Sequence, residues 1–216
     1  MTAYDAWDRE YQENKQDYLE IFDRFMSQTN YENNEHFESS FAKRVGRKYC
    51  VSVASATDAL HFILLAHSIG AGDEVLVTDF SWISSSACAS MVGATPVFCD
   101  INIDSYHISL DSIKRMYSDK VKAIIYPHLF GNMTDTTEIQ QFCKDNDILF
   151  IEDAAQSLGS SLNGVNAGTI GDCSVYSFNS NKVIAGINGG GVVLTDNEDI
   201  AKPVSYTHLR AHETRI

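Results

Sequence analysis

Two adjacent acids, Glu152 and Asp153, directly follow the apolar run at residues 149–151. A carboxylate buried at the end of a strand is costly unless a cation or a hydrogen-bond network receives it. A protonated ring nitrogen is such a cation, and some ring cofactors need an acid at that place in order to act as electron sinks. The alternative for Asp153 is a helix N-cap.

Lys182 closes the polar stretch 177–182, which follows another predicted strand and precedes a run of three glycines. A lone lysine in a polar loop is usually a solvated charge. To act as a nucleophile it needs a lowered pKa, which desolvation or a neighbouring charge in a cofactor pocket would supply. Ser177, in the same turn, could offer its hydroxyl to a phosphate group.

Small residues occupy a third strand end, where Ser55, Ala56 and Thr57 separate the run 49–54 from a helix predicted to begin near Thr57. A helix start presents free N–H groups to an anion, and small side chains let a ligand approach the backbone. A plain N-cap by Ser55 or Thr57 explains the same residues. Taken alone, this segment favours the N-cap.

Two further side chains follow predicted strands. Trp82 has a flat apolar face that could stack on an aromatic ring, although a lone aromatic residue more often packs in a core or an interface. His128 could equally cap or pack. No group of His, Cys or carboxylate residues has the spacing of metal ligands, so we expect no metal.

Short β-rich runs alternate with amphipathic stretches of helix length from Tyr49 onward, which indicates an α/β fold. The strands are predicted at 49–54, 74–78, 95–100, 123–127, 149–152, 174–178 and 191–195, and the helices at 57–67, 84–91, 110–117 and 134–145. We expect a three-layer α/β/α sandwich with a mostly parallel sheet. Ligands of such sheets bind beyond the carboxyl ends of the strands, where the residues above lie.

The chain divides into three predicted parts. Residues 1–36 form an N-terminal helical segment, and residues 37–202 form the large domain. A helix that starts near Asp199 is expected to break at Pro203. Residues 203–216 differ in composition from the rest and are similar to translated adapter sequence, so we expect them to be a non-native tail on a truncated chain.

The net charge of −13, from 16 basic and 29 acidic residues, argues against a nucleic-acid or anionic membrane surface as partner. The five cysteines are odd in number, widely spaced and without a CxxC pair, which favours reduced thiols. The polar N-terminus is unlike a signal peptide, and no apolar run is long enough to span a bilayer. These features predict a cytoplasmic protein.

In their order and spacing, these segments resemble the DegT/StrS-type nucleotide-sugar aminotransferases, a branch of the fold-type I enzymes that depend on pyridoxal 5'-phosphate (PLP). The resemblance extends from about residue 37 to 202. The matching stretches are 55–60, 72–75, 93–100, 128–131, 152–159 and 177–182. Family members are much longer, so the resemblance implies that a small C-terminal domain is missing.

The resemblance implies a reaction as well as a fold. Lys182 would be the Schiff-base lysine and would move protons, and Asp153 would pair with the pyridine nitrogen. The reaction would transfer an amino group, from a donor such as glutamate, to a keto carbon of a nucleotide-activated sugar. The complete protein would be a homodimer.

The remaining roles implied by the resemblance concern the cofactor alone. Gln156 would lie near the ring oxygen, and Trp82 would stack on the ring. Ala56, Thr57 and Ser177 would hold the phosphate.

Two positions depart from the family pattern, and two other functions stay open. The family usually has Gly where Ala56 stands and often has Glu where Asn188 stands. A PLP-dependent sugar dehydratase would share the scaffold, but it is expected to carry histidine in place of Lys182. A non-catalytic regulator or an inactive PLP-fold fragment would keep the scaffold without turnover.

Overall fold

The computed structural model describes residues 3–27, 30–186 and 188–213, which divide into two compact units, 1–40 and 41–216. The described residues of the first unit form α1 (Ala3–Ser27) and most of α2 (Asn30–Val45). The helices are α1 (Ala3–Ser27), α2 (Asn30–Val45), α3 (Ala56–Ala66), α4 (Ser84–Met91), α5 (Leu110–Met116), α6 (Thr137–Asp145) and α7 (Glu198–Glu213), with a 3-10 turn at Leu129–Gly131.

The second unit is built on a seven-stranded sheet with the order β1-β9-β8-β5-β4-β2-β3. The strands are β1 (Tyr49–Val53), β2 (Glu74–Thr78), β3 (Thr95–Cys99), β4 (Val121–Pro127), β5 (Leu149–Asp153), β8 (Cys173–Ser177) and β9 (Gly191–Thr195), and a separate hairpin joins β6 (Ser161–Leu162) to β7 (Val165–Asn166). Each neighbouring pair in the row β8-β5-β4-β2-β3 is parallel. Because β9 pairs antiparallel with both β8 and β1, it alone among the described strands of this sheet runs in the reverse direction.

Side chains of the central strands alternate between two apolar layers because successive residues of a strand point to opposite faces. Ala123 and Ile125 pack with the buried residues of α3, α4 and α7, whereas Ile124 and Tyr126 pack with those of α5 and α6. Both faces of the sheet are therefore covered. The predicted three-layer fold with a mostly parallel sheet is confirmed.

The predicted break at Pro203 is wrong, because α7 continues through this residue. A proline removes one intrahelical hydrogen bond. Ile200, Ala201 and Val204 nevertheless form a buried stripe that packs on the sheet, and Val204 is 0% exposed. Tertiary packing has thus overridden the local preference. The non-native origin of residues 203–216 stays a prediction.

Arg47, just before β1, joins three parts of the second unit although its side chain is only 5% exposed. Its Nε–H donates to the carbonyl of Gly168 at 2.8 Å and an Nη2–H to the carbonyl of Gly171, while Nη1 lies 2.8 Å from the Asp196 carboxylate. Only a planar guanidinium can serve these acceptors together. Arg47 therefore fixes the loop 167–171 against the sheet.

Replacing Arg47 with methionine keeps the apolar stem but leaves the carbonyl of Gly171 without its donor and the Asp196 carboxylate without its cation. The carbonyl of Gly168 keeps the Ser174 hydroxyl as a donor. We expect the free energy of unfolding in urea to fall by about 2–3 kcal/mol. Arg115→Met is the matched control, since Arg115 forms an exposed ion pair with Asp100, and its loss should stay below about 1 kcal/mol. If the free energy of unfolding falls equally in the two variants, the contacts of Arg47 with the loop contribute no more than an exposed ion pair does.

Candidate functional site

A cavity of about 440 Å³ lies at the carboxyl ends of the parallel strands, where the sequence places the chemistry. All the predicted site residues line it: Ala56, Thr57, Trp82, Asp153, Gln156, Ser177 and Lys182. Lys182 is the only lysine or arginine among the described residues around it. The structure thus brings together side chains from segments that are far apart in the sequence.

The two acids at the end of β5 have different surroundings. Glu152 is 0% exposed and accepts four hydrogen bonds, from the main-chain N–H groups of Gly168, Ile170 and Gly171 and from His128 Nε2 at 2.8 Å. Burial by itself would raise the pKa of Glu152, yet His128 and these N–H groups hold it below its usual value. Glu152 is therefore a satisfied buried carboxylate.

Asp153 has far fewer partners. Its side chain accepts a hydrogen bond of 3.1 Å from the N–H of Ala155, and the residue is 8% exposed. The residues that follow form turns and no helix, so the N-cap alternative for Asp153 is wrong. Burial raises the pKa of Asp153 above its usual value, against the opposing effects of the Ala155 N–H and the Lys182 charge. A cation placed in the cavity beside Asp153 would stabilise its charged form.

The start of α3 forms one wall of the cavity. Ser55 is its N-cap: the N–H of Asp58 donates to Ser55 Oγ at 3.1 Å, and Ser55 Oγ donates to the Asp58 carboxylate at 2.8 Å. The capping role considered for Ser55 is thus confirmed, and the helix begins at Ala56, one residue before the predicted start. The N–H groups of Ala56 and Thr57 belong to the first turn, which has no intrahelical acceptors.

Gly191, at the start of β9, lies directly against this helix start. A Cβ atom at residue 191 would collide with the carbonyl of Ser55 and the nitrogen of Ala56. Glycine is therefore required here for a close approach of two backbones rather than for an unusual backbone angle. This contact was not among the sequence predictions, although the run of three glycines was noted.

Lys182 lies in a loop after β8 that is closed by main-chain hydrogen bonds. The N–H of Phe178 donates to the carbonyl of Gly190 at 2.9 Å, and the N–H of Gly186 donates to the carbonyl of Phe178 at 2.8 Å. Phe178 is buried and packs edge-on against Phe41. Phe178 thus anchors the loop, and Lys182 itself is half-buried at the cavity wall.

Gln156 and Trp82 complete the predicted set. Gln156 Oε1 accepts a hydrogen bond of 2.9 Å from the N–H of Phe130, whose φ of 59° is unusual for a bulky residue. Trp82 is 71% exposed at the rim, so the core position considered for it is wrong. Its stacking role stays a prediction.

His128 has a partner that the sequence did not reveal. The ring is 1% exposed and bonds to Glu152. Residues Tyr126 and Glu152 are paired in the register of β4 with β5, which brings His128 to the end of β5. The available signal was the acid pair itself, since one member was expected to need a hydrogen-bond network.

A larger open cleft of about 810 Å³ lies at the opposite edge of the sheet and contains none of the predicted residues. Its charged groups include Asp73, Lys122 and Asp172, so it has no uniform sign. Among the described residues, no group of His, Cys, Asp and Glu could hold a metal ion. No helix in the described part of the chain has the length and apolar character to cross a membrane.

The fold and the cavity define an α/β domain of the kind that binds a phosphorylated cofactor at the carboxyl edge of its sheet. Residues 9–215 match the model of the DegT/DnrJ/EryC1/StrS aminotransferase family. The chain belongs to this family, as the resemblance implied.

Relatives of known name support the assignment. The chain is 36% identical over 166 residues to GDP-perosamine synthase of Vibrio cholerae, covering 77% of this chain and 45% of that protein. It is also 36% identical over 168 residues to dTDP-3-amino-3,6-dideoxy-alpha-D-galactopyranose transaminase of Aneurinibacillus thermoaerophilus, covering 78% of this chain and 46% of the relative. The chain therefore spans less than half the length of these relatives.

Solved structures agree on the fold. The S. venezuelae protein DesV, in complex with a ketimine intermediate, superposes with a TM-score of 0.88 at 26% identity, over 97% of this chain and 57% of that one. The Psychrobacter cryohalolentis aminotransferase superposes with a TM-score of 0.77 at 34% identity, over 79% of this chain and 43% of that one. Bacillus subtilis ntda with bound cofactor PMP superposes with a TM-score of 0.73 at 31% identity, over 80% of this chain and 39% of that one.

Asp153→Asn should stabilise the cofactor-free chain. Because the folded-state pKa of Asp153 is raised, ionisation of this group removes stability as the pH rises above the usual pKa of an aspartate. Asparagine keeps the acceptor for Ala155 and carries no charge. The free energy of unfolding, measured in urea from pH 4 to pH 8, should increasingly exceed that of the unaltered chain.

The exposed residue Asp119 provides the control, because Asp119→Asn removes a surface carboxylate and should change the free energy of unfolding by no more than about 0.5 kcal/mol. A stability of Asp153→Asn below that of the unaltered chain at every pH would mean that the Asp153 carboxylate has a stabilising partner.

Gly191→Ala should destabilise the second unit, since the new methyl group collides with the start of α3. We expect a loss of about 1–3 kcal/mol in thermal or urea unfolding, as for other overpacked sites. Gly70→Ala is the comparison, because its Cβ would meet only the carbonyl of Val92, at 3.3 Å. If the two substitutions have equal effects, the contact at Gly191 is not tight.

Proposed function

We propose that this protein is a PLP-dependent aminotransferase that moves an amino group, from glutamate, to a keto carbon of a nucleotide-activated sugar. The observation that carries the proposal is the single cavity in which Lys182, Asp153 and the start of α3 meet. Each of these supplies what one part of the cofactor needs. The family and its named relatives point to the same chemistry.

The residues present fit PLP at three points. Asp153 is a buried carboxylate without a cationic hydrogen-bond partner among the described residues, as a protonated pyridine nitrogen requires. The first N–H groups of α3 and the hydroxyl of Ser177 suit a phosphate. Gly191 lets β9 approach the start of α3 closely, which shapes this wall.

When bound, the cofactor would supply an electron sink for the removal of a proton from the substrate carbon. Asp153 would hold a proton at the ring nitrogen, and Lys182 would accept and return a proton at Nζ. Gln156 would orient the ring from its edge while its own oxygen is held by Phe130. Trp82 would cover the ring and exclude water from one face.

The substrate class is supported by what the relatives are named for. Two of them are named for a GDP-linked or a dTDP-linked amino sugar. A further relative, from Streptomyces fradiae, is named L-glutamine:2-deoxy-scyllo-inosose aminotransferase and is 34% identical over 175 residues. Glutamate as the amino donor is therefore a proposal. It is tested by comparing the rates of amino transfer from glutamate and from glutamine.

The proposal also covers where the enzyme acts, which is the cytoplasm, and how it assembles, which is as a homodimer. All five cysteines are free and buried, as expected for a protein of the reducing cytoplasm. The homodimer implied by the family remains part of the proposal. The exposed rim that includes Trp82 would provide a surface on which the second subunit packs.

A sugar dehydratase is the nearest competing function. The chain superposes on GDP-4-keto-6-deoxymannose-3-dehydratase, solved as the H188N mutant with bound GDP-perosamine, with a TM-score of 0.73 at 32% identity. That class is expected to have histidine at the position of Lys182, so the lysine favours amino transfer. A relative named "Pleiotropic regulatory protein", from Geobacillus stearothermophilus and 28% identical, keeps a non-catalytic role in view.

The proposal predicts a covalent label on one lysine. When the chain is incubated with PLP and reduced with borohydride, mass spectrometry should find the pyridoxyl group on Lys182, because no other lysine in the described part of the chain lines the cavity. The yield at substoichiometric PLP should exceed that of any other lysine by about tenfold or more, the factor that corresponds to 1.4 kcal/mol of preferential binding.

Two variants make the result specific. Lys182→Ala should abolish the selective label, and Lys122→Arg should leave it intact because Lys122 lies at the opposite cleft. A folded chain that gives no preferential label on Lys182 would overturn the aminotransferase proposal and leave a binding or regulatory function.

A further inference from the structure

The buried pair formed by His128 and Glu152 has no part in the roles described so far. His128 is 1% exposed and Glu152 is 0% exposed, and 2.8 Å separates His128 Nε2 from Glu152 Oε1. The main-chain N–H of His128 also donates to the carbonyl of Asp153 at 3.0 Å. His128 therefore bonds to both residues at the end of β5, to the side chain of Glu152 and to the main chain of Asp153.

The surroundings of Glu152 fix which atom of the pair carries the proton. Main-chain N–H groups can only donate, and three of them point at the two oxygens of Glu152. Such a set favours the ionised carboxylate, which is an acceptor only. The remaining bond must then be donated by His128, so its Nε2 carries a hydrogen.

The other ring nitrogen of His128 lacks a protein partner. Nδ1 is buried and has no hydrogen bond with any described residue. The neighbouring rings of Tyr126 and His107 approach it only through ring contacts, because their polar atoms bond to Thr134, Ser105 and Asn132. Buried polar atoms in folded proteins are nearly always paired. His128 is among the residues that line the cavity of Lys182 and Asp153.

We infer that His128 is a positioning residue: Glu152 fixes it as the Nε2–H tautomer, and its Nδ1 accepts a hydrogen bond from an O–H or N–H donor that occupies the cavity. The donor is an ordered water or a group of the bound ligand. Held in this orientation by Glu152, the His128 ring then positions the donor group of the cofactor beside Asp153. This last step rests on the proposed function, whereas the tautomer does not.

The tautomer is measured directly by NMR. The full chain is labelled with ¹⁵N, and long-range ¹H–¹⁵N correlations are recorded without and with PLP, with the His128 signals assigned from the spectrum of His128→Gln. We expect a protonated Nε2 and a hydrogen-bonded, unprotonated Nδ1. A shift of Nδ1 on addition of PLP would identify the ligand as the donor, and an unchanged shift would identify water. An imidazolium ring or an Nδ1–H tautomer would overturn the inference.

The positioning role is tested by affinity for PLP. His128→Gln keeps a donor that can reach Glu152 but has no acceptor at the place of Nδ1, so the chain should stay folded and bind PLP about tenfold more weakly, as for other residues that orient a binding group. His67→Gln is the matched control, since His67 bonds to the carbonyl of Ile63 and lies at the opposite cleft. Its affinity for PLP should be unchanged.

A second measurement covers the case in which His128→Gln does not fold. The NMR spectrum of the unaltered chain needs no altered His128 once its signals are assigned through the labelled backbone, and an imidazolium ring or an Nδ1–H tautomer there would still overturn the inference. Equal PLP affinity in His128→Gln and His67→Gln would overturn the positioning role. If the unaltered chain itself does not bind PLP, the proposed function fails, and the NMR result still decides the tautomer.

Discussion

The Glu152 carboxylate is the point on which the cofactor edge of this domain depends. It is removed from water entirely, and such a charge persists only where donors surround it. Three donors come from the loop 167–171 and the fourth from His128. The carbonyls of the same loop bind Arg47. A buried cation and a buried anion are thus joined through one short stretch of backbone, next to the strand end that carries Asp153.

The two neighbouring acids on β5 show how one strand serves stability and function at once. Alternation along the strand places Glu152 and Asp153 on opposite faces. Glu152 is fully satisfied by the protein, whereas Asp153 is buried with a single main-chain donor. In the proposed function, the Asp153 carboxylate that is unfavourable in the cofactor-free fold would bind a positively charged ring nitrogen, and stability would thereby be exchanged for affinity.

Much of this could be predicted from the sequence because the strand pattern and the residues at strand ends are local features. Asp153 and Ser177 lie at the ends of such strands, Lys182 lies in the loop that follows Ser177, and all three meet in the cavity. The bond between His128 and Glu152 could not be predicted, since it depends on which strands are neighbours. The break at Pro203 was wrong for a related reason: the burial of Val204 is a tertiary effect that a local rule does not contain.

The reversed strand β9 also has a consequence for how the domain is made. Tyr49 pairs with Thr195, and the start of α3 touches Gly191, so the wall of the cavity at the start of α3 joins parts of the chain that are synthesised far apart in time. Contacts of such long range form late and slow the folding of a domain. On the ribosome, β1 and the start of α3 must wait for β9, and a nascent chain that ends earlier exposes an unpaired strand edge to its neighbours.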